Sequence, residues 1–116
     1  MGKSKRKRTN LELADELYRQ IIRSKGFCER CGKRENLQTA HIISRSYHQV
    51  RHDLDNSFCL CDGCHRYFTN RPIEFETFVK SKIGEAHYQE LKDRAIDYKK
   101  IDYKAVIKRL QESQQI

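Results

Sequence analysis

The sequence has no run of about 18 consecutive apolar residues, the length that a membrane-spanning helix needs. Hydrophobic residues make up only 37% of its 116 positions, and the basic N-terminus is not followed by an apolar stretch. The lack of a long apolar run argues against a membrane helix. The lack of an apolar stretch after the basic N-terminus argues against a secretory signal. Because a short chain with few apolar residues buries a small core, we expect an internal cross-link or metal to stabilise it.

A disulfide framework is not expected, since the chain lacks an export signal and its five cysteines make an odd number. The sequence therefore predicts an intracellular protein whose cysteines bind metal. Its formal net charge is +8, which favours a polyanionic partner. Residues 1–9 carry much of this charge without an acid, and we interpret them as a disordered arm. The arm either solubilises the chain or binds phosphates.

Three further segments follow this arm in the predicted organisation. Residues 10–26 form a helix with Asn10 as its cap, residues 27–70 form the functional core, and residues 71–116 form C-terminal helices. A helix is expected to begin at Pro72, because proline suits the first turn, and the next helices should span 85–97 and 102–113. Within the core the pattern predicts a strand at 37–43, a polar loop at 44–55, a strand at 57–61, and a helix from 62 past 68.

Two Cys-x2-Cys pairs carry the strongest signal, Cys28 with Cys31 and Cys61 with Cys64. Four thiolates without an open position are typical of a structural Zn²⁺ site. Cys59 is the fifth cysteine, and a strand at 57–61 would place it on the same face as Cys61. It is either a small core residue or a ligand in place of Cys61. We prefer Cys61 as the ligand, because it keeps the two-residue gap to Cys64.

A second group of polar residues lies between and beside the cysteine pairs. Hydrolysis of a phosphodiester needs a base for water and a cation for the developing charge. A neutral imidazole suits the first role, and a divalent metal held by imidazole and oxygen suits the second. Arg45 could contact a phosphate with two hydrogen bonds. The group consists of His41, Arg45, Asp53, Asp55, Asn56 and His65.

Taken together, these motifs resemble the HNH endonucleases over about residues 27–70. The stretch from Arg51 to His65, with the later segment 72–75, resembles more narrowly the small phage recombination endonucleases of the NinG/Rap kind. A phage protein of this kind would act in the cytoplasm of a bacterial host. The motifs that carry the resemblance are Cys28-x2-Cys31, the segment 37–45 (LQTAHIISR), Asp55-Asn56 and Leu60-Cys61-x2-Cys64-His65.

The resemblance implies an α+β fold, a small ββα-metal (His-Me finger) HNH domain with a four-cysteine zinc site and flanking helices. It implies metal-dependent cutting of DNA that leaves 5′-phosphate and 3′-hydroxyl ends. By position in the motif, His41 is the general base that activates water. Asn56 ties the loop and orients that base, and His65 is a ligand of the catalytic metal.

The chain departs from the family pattern at Ala40, where many members carry an Asp or His as a second metal ligand. Asp53 is our first choice for the replacement ligand, because a carboxylate suits Mg²⁺ or Mn²⁺. Asp55, His52 and His48 are weaker choices, since polar loops commonly carry such residues.

Two other functions fit parts of this pattern. A zinc-containing DNA-binding or recombination accessory protein that does not cut would use the same zinc and charge and leave His41 idle. A protein-interaction zinc module is the second alternative, and the net charge of +8 makes it less attractive. The partner expected for the nuclease and for the accessory protein is DNA, without a membrane. A homodimer would supply a second active site if both strands are cut.

Overall fold

The computed structural model describes residues 7–114 of the chain, so the first six residues of the predicted basic arm lie outside the described part. The predicted α+β fold class is confirmed: a two-stranded sheet packs with five helices. None of these helices is both long and apolar enough to cross a bilayer. In chain order the elements are α1 (Asn10–Arg23), β1 (Leu37–His41), β2 (Ser57–Cys61), α2 (Asp62–Thr69), α3 (Pro72–Ile83), α4 (Glu85–Ala95) and α5 (Tyr103–Gln114).

The cap of the first helix lies one residue earlier than predicted. Thr9, not Asn10, is the N-cap: its hydroxyl accepts from the Glu12 N–H, and the Glu12 carboxylate accepts from the Thr9 N–H. This reciprocal pair is a capping box, which satisfies two backbone donors at once. The prediction of Asn10 as the cap is therefore wrong by one position.

The two strands run antiparallel, with Leu37 opposite Cys61 and His41 opposite Ser57. The predicted first strand extended to residue 43, but β1 ends at His41. The next pair, Ile42 opposite Asn56, keeps only one of its two ladder bonds: the N–H of Ile42 bonds the Asn56 carbonyl, but the N–H of Asn56 bonds the Asp53 carbonyl. The N–H of Ile43 bonds the Asn56 side chain. The chain therefore turns into the polar loop as soon as His41 has been placed.

The second strand passes into α2 without a linker, since β2 ends at Cys61 and α2 begins at Asp62. Proline at the first turn of α3 and Gly84 at its end, with φ of +86°, account for the bounds of that helix. The α2–α3 pair buries an aromatic core against the sheet, in which Phe58 contacts Phe75 and Phe78 edge to face. This core supports the start of α2 beneath the functional residues.

The last helix packs on the first, although its apolar positions are sparse. Leu110 of α5 is completely buried in a cluster with Ala14, Tyr18 and Ile22 of α1, and Cys59 of β2 completes that cluster. The spacing of four residues between the α1 members places them on one face of the helix. Consequently, α1 is held between α5 and the sheet, with its polar residues beside the end of β1.

Candidate active site

The four cysteines of the two pairs come together in the structure. Their Sγ atoms all lie within 4.8 Å of one another, and the Sγ atoms of Cys31 and Cys61 are 3.7 Å apart. A tetrahedral zinc ion with Zn–S bonds of about 2.3 Å separates its ligands by about 3.8 Å, so this spacing suits Zn²⁺. Within residues 7–114, no other group of three or more His, Cys, Asp or Glu side chains is close enough to bind one ion.

Backbone donors surround these sulfurs. The N–H groups of Arg30 and Cys31 point to the Sγ of Cys28 at 3.4 and 3.5 Å, and the Cys64 N–H points to the Sγ of Cys61 at 3.4 Å. Burial opposes ionisation of Cys28, but hydrogen bonds from backbone N–H groups outweigh it and lower its pKa to about 6. Burial and the neighbouring sulfurs raise the pKa of Cys64 to about 12. A cation bound among the sulfurs would allow all four to ionise.

The fifth cysteine belongs to the core. Cys59 is fully buried beside α1, and it is not part of the four-sulfur group. Its backbone N–H donates to the Glu29 carboxylate at 2.7 Å, and its carbonyl accepts from the Glu29 N–H at 2.8 Å. Cys59 thus ties β2 to the first cysteine pair through its backbone, and its thiol packs as a small apolar group.

A cavity of about 370 Å³ lies among α1, β1 and the start of α2. His41, at the end of β1, and His65, in the first half of α2, both line it, and Arg45 lies at its edge. Three residues predicted from the motif therefore share one cavity. The two imidazoles face the same space and not opposite sides of the molecule.

The ring of His41 is held on two sides. Its Nε2–H donates to the Arg51 carbonyl at 3.0 Å, and its face stacks on Tyr18 with the ring centroids 5.3 Å apart. This hydrogen bond leaves the lone pair on Nδ1, which has no hydrogen-bond partner within residues 7–114. Burial is the main reason that the pKa of His41 lies below its usual value, and the charges of Arg51 and Arg45 lower it further. A neutral imidazole with an open Nδ1 can accept a proton.

Asn56 is completely buried at the base of the loop. Its Oδ1 accepts from the Ile43 N–H at 2.8 Å, and its Nδ2 donates to the carbonyls of Ile43 and Val50 at 3.1 and 3.0 Å. Three bonds from one amide fix both ends of the loop, which includes the residue whose carbonyl orients His41. Asn56 does not line the cavity itself, and its geometry suits a positioning role.

His65 reaches the cavity from α2. Its Nδ1–H donates to Gln38 Oε1 at 2.7 Å, so the lone pair lies on Nε2, without a hydrogen-bond partner in the described chain. Burial lowers the pKa of His65. Ala40 packs in the core opposite Phe58 and also borders a second opening that His65 lines. The residue that departs from the family pattern therefore does lie close to His65.

Asp53 is not at this site, contrary to the expectation from sequence. Its carboxylate pairs with Arg94 of α4 at 3.4 Å, and it does not line the cavity with His65. Asp55 binds His87 and Arg94. The weaker choices are also bound elsewhere: His52 donates to Asp15, and His48 bonds the Tyr103 hydroxyl. The sequence of the loop could not predict these ion pairs, because Arg94 lies about 40 residues further along the chain.

Sequence reasoning missed a pair of residues behind His41. The Arg51 guanidinium binds both oxygens of Asp15, from Nε at 3.0 Å and from Nη2 at 2.6 Å, and its Nη1 donates to the Arg45 carbonyl at 3.3 Å. Burial raises the pKa of Asp15, but the hydrogen bonds from Arg51 and His52 outweigh it, and the net shift is downward. The only available signal was that Asp15 lies one helical turn before the buried Tyr18.

One hydroxyl in the cavity lacks a partner. Thr39 Oγ1 is buried and makes no hydrogen bond within residues 7–114, and Thr39 lines the same cavity as His41 and His65. Thr39 and His65 both line the cavity, so this hydroxyl and Nε2 of His65 are an oxygen and a nitrogen donor without a partner in the described chain. This donor set suits a divalent cation that takes its remaining ligands from water and a phosphate. Asp15 also lines the cavity, but both of its oxygens are already bonded.

Residues 28–76 match the family model described as HNH endonuclease. This match confirms the resemblance expected from the sequence, over somewhat less than half of the chain. It includes both cysteine pairs and the two cavity histidines, whereas α1, most of α3, α4 and α5 lie outside it. A search of curated proteins and a search of solved structures each returned no match. The narrower resemblance to phage recombination endonucleases stays a prediction.

Proposed function

We propose, from the match of residues 28–76 to the HNH endonucleases, that the chain is a metal-dependent endonuclease that hydrolyses DNA phosphodiester bonds. The observation that carries this proposal is the shared cavity, which brings an open Nδ1 on His41 and an open Nε2 on His65 to one space. The excess of 24 basic over 16 acidic residues supports a polyanionic substrate.

In the proposed reaction, His41 is the general base. Its Nδ1 takes a proton from water while the water oxygen attacks phosphorus in line with the leaving oxygen. The P–O3′ bond breaks and the leaving 3′ oxygen takes a proton from solvent water, so the products carry a 5′-phosphate and a 3′-hydroxyl. Arg45 binds a non-bridging phosphate oxygen, and Asn56 and Arg51 act as positioning residues through the loop. Tyr18 limits rotation of the base by stacking on it.

The residues of the cavity fit a divalent cation such as Mg²⁺ or Mn²⁺. His65 would hold it through Nε2, with the Thr39 hydroxyl as an oxygen donor directly or through water. When bound, such a cation stabilises the charge that develops on the leaving 3′ oxygen. Gln38 keeps the His65 ring in the orientation that leaves Nε2 available.

We assign the cysteine group a structural Zn²⁺ ion. Cys61 and Cys64 flank the first residues of α2, and His65 follows directly. An ion that joins both pairs would therefore fix the helix on which His65 lies relative to the strand that ends at His41.

A second candidate function, a DNA-binding or recombination accessory protein that does not cut, is favoured by Ala40 alone. The two are separated by incubating purified, zinc-loaded protein with supercoiled plasmid and either Mg²⁺ or Mn²⁺. Conversion to nicked circles whose ends DNA ligase reseals supports the endonuclease, because ligase requires 5′-phosphate and 3′-hydroxyl ends. Binding of the plasmid without nicking in any divalent metal supports the accessory function. Comparing branched with linear DNA in the same assay tests the recombination specificity that the narrower resemblance predicts.

The rate of cutting is expected to fall in acid with a midpoint below pH 6.5, the ordinary pKa of histidine. Burial lowers the pKa of His41, and an imidazole that is protonated cannot accept a proton from water. Activity is therefore full above the folded pKa and is lost as the pH falls through it. The measurement is kcat/KM against pH at saturating metal, alongside an NMR titration of His41 in the free protein. A midpoint at or above 6.5 in both measurements would contradict this assignment.

Replacing Asp15 is expected to slow cutting by about 10- to 100-fold, as is common for residues that orient a functional group through another residue. Asp15→Ala frees the Arg51 guanidinium, which moves both the carbonyl that orients His41 and the backbone of Arg45. Asp15→Asn keeps one acceptor and should lose less. Glu16→Gln, the next position on α1, serves as the control, because Glu16 pairs with Arg8 and not with the loop.

Cutting rates alone do not separate a positioning role from a general loss of stability. The second measurement is therefore the tautomer of His41, read from its ring ¹⁵N shifts. We expect Nε2–H to dominate in the parent and both tautomers to appear in Asp15→Ala, with both proteins measured well below their melting temperatures. An unaltered tautomer together with an unaltered rate would contradict the role of Asp15.

A further inference from the structure

The described arginines fall into two groups. In most of them the guanidinium contacts another group of the protein, which is an acid, a backbone carbonyl or an aromatic ring. These are Arg8, Arg23, Arg30, Arg51, Arg71, Arg94 and Arg109. In residues 7–114 four have no hydrogen bond or ion pair from the guanidinium, and all four are exposed: Arg19, Arg34, Arg45 and Arg66. A guanidinium without an internal partner is free to bind an anion.

Three of these four border the cavity of the two histidines or the opening next to it. Arg19 of α1 and Arg45 line the cavity of about 370 Å³. Arg66 of α2 lines an adjacent opening of about 450 Å³, and His65 lines both. The three arginines therefore border two neighbouring openings that share His65, which we treat together as one depression. Arg34, in contrast, precedes β1, at the end of the strand opposite to His41.

The acids along this depression are already paired. Asp15 is bound by Arg51 and His52, as described above, and Asp62 lies 3.9 Å from the Lys33 ammonium. Their negative charge is offset locally, and the unpaired charge that remains is positive. The backbone of a DNA strand, which carries one phosphate per nucleotide, matches a line of separated guanidinium groups better than a single small anion does.

We propose that Arg19 and Arg66 bind the DNA phosphates on either side of the scissile one, so that the cut strand runs from α1 across the cavity to α2. This inference rests on the proposed function and adds the path of the DNA strand to it. Arg45 contacts the central phosphate. Because Arg19 belongs to α1, which lies outside the family match, this chain extends the nuclease core with its own N-terminal helix. Contacts of this kind are insensitive to base sequence.

The test is the salt dependence of DNA binding, measured with a short fluorescent duplex by anisotropy. All proteins are zinc-loaded and carry His41→Ala, and no divalent metal is added, so that cutting does not disturb the equilibrium. We expect Arg19→Gln and Arg66→Gln each to reduce the slope of log K against log salt concentration by about 1, because each removes one phosphate contact. Arg34→Gln is the matched control, an exposed and unpaired arginine outside the depression, and it should keep the parent slope. Melting temperature and zinc content establish that all variants are folded.

The outcomes separate this inference from the nuclease proposal. If the salt dependence of DNA binding has the same slope in Arg19→Gln and Arg66→Gln as in Arg34→Gln, the proposed path is wrong. This holds even if the protein with intact His41 cuts plasmid. If both slopes decrease and the protein with intact His41 cuts nothing, the phosphate contacts of Arg19 and Arg66 stand, and the nuclease proposal is wrong. A reduction for Arg34→Gln equal to that of the other two would also overturn the path, since it would mean a diffuse basic surface.

Discussion

Replacing His41 with alanine is expected to reduce DNA cutting by about 10²- to 10⁴-fold, the usual contribution of a general base. The imidazole at the end of β1 has an open nitrogen and a lowered pKa, so it can accept a proton from water, whereas alanine cannot. DNA binding should be preserved, because the phosphate contacts lie on other residues. The measurement is the single-turnover rate of plasmid nicking, with binding affinity determined separately.

His48→Ala is the matched control, since His48 lies in the loop that follows β1 but binds Tyr103 and does not line the cavity. It should cut at about the parent rate. Added imidazole provides a second check, because it can enter the space that alanine leaves beside Tyr18 and restore part of the rate to His41→Ala alone. Cutting by His41→Ala at the rate of His48→Ala would exclude His41 as the base.

Local sequence rules were sufficient for the elements whose ends are set by a single residue. Pro72 begins α3 and Gly84 ends it, as their backbone preferences predict. The first strand is shorter than its apolar pattern, because the Asn56 N–H bonds the Asp53 carbonyl and not Ile42. In addition, the Asn56 side chain binds the N–H of Ile43. No propensity rule contains that bond, which joins residues on opposite sides of the loop.

The site shows the same division between local and distant determinants. The resemblance to the HNH endonucleases was sufficient to select His41 and His65, and the structure places both in one cavity. Asp53 was expected to be a metal ligand, but its carboxylate binds Arg94 of α4 and lies outside the cavity of the two histidines. Asp15 was missed for a related reason: its partner Arg51 is 36 residues away, and spacing along the chain does not indicate such a pair.

Replacing one ligand of the cysteine group is expected to have the largest effect on the fold. Cys28→Ser or Cys64→Ser should lose the zinc, which we expect at about one ion per parent chain, and should no longer fold cooperatively. Two reasons support this: the chain has a small apolar core, and a structural zinc contributes on the order of 10 kcal/mol to small domains of this kind. Zinc content by elemental analysis and thermal unfolding by circular dichroism measure the two effects, and a chelator should unfold the parent in the same way.

Cys59→Ala is the control that the chain itself provides. This cysteine is also buried, but it packs on α1 and lies outside the four-sulfur group. We expect it to keep its zinc and to lose stability on the order of 1 kcal/mol, as for a small change in a core. The double variant Cys31→Ser with Cys61→Ser is the strictest test, since it removes one ligand from each pair. Zinc binding equal to that of the parent in this double variant would mean that the two pairs do not share an ion, and the link between β1 and α2 would then need another origin.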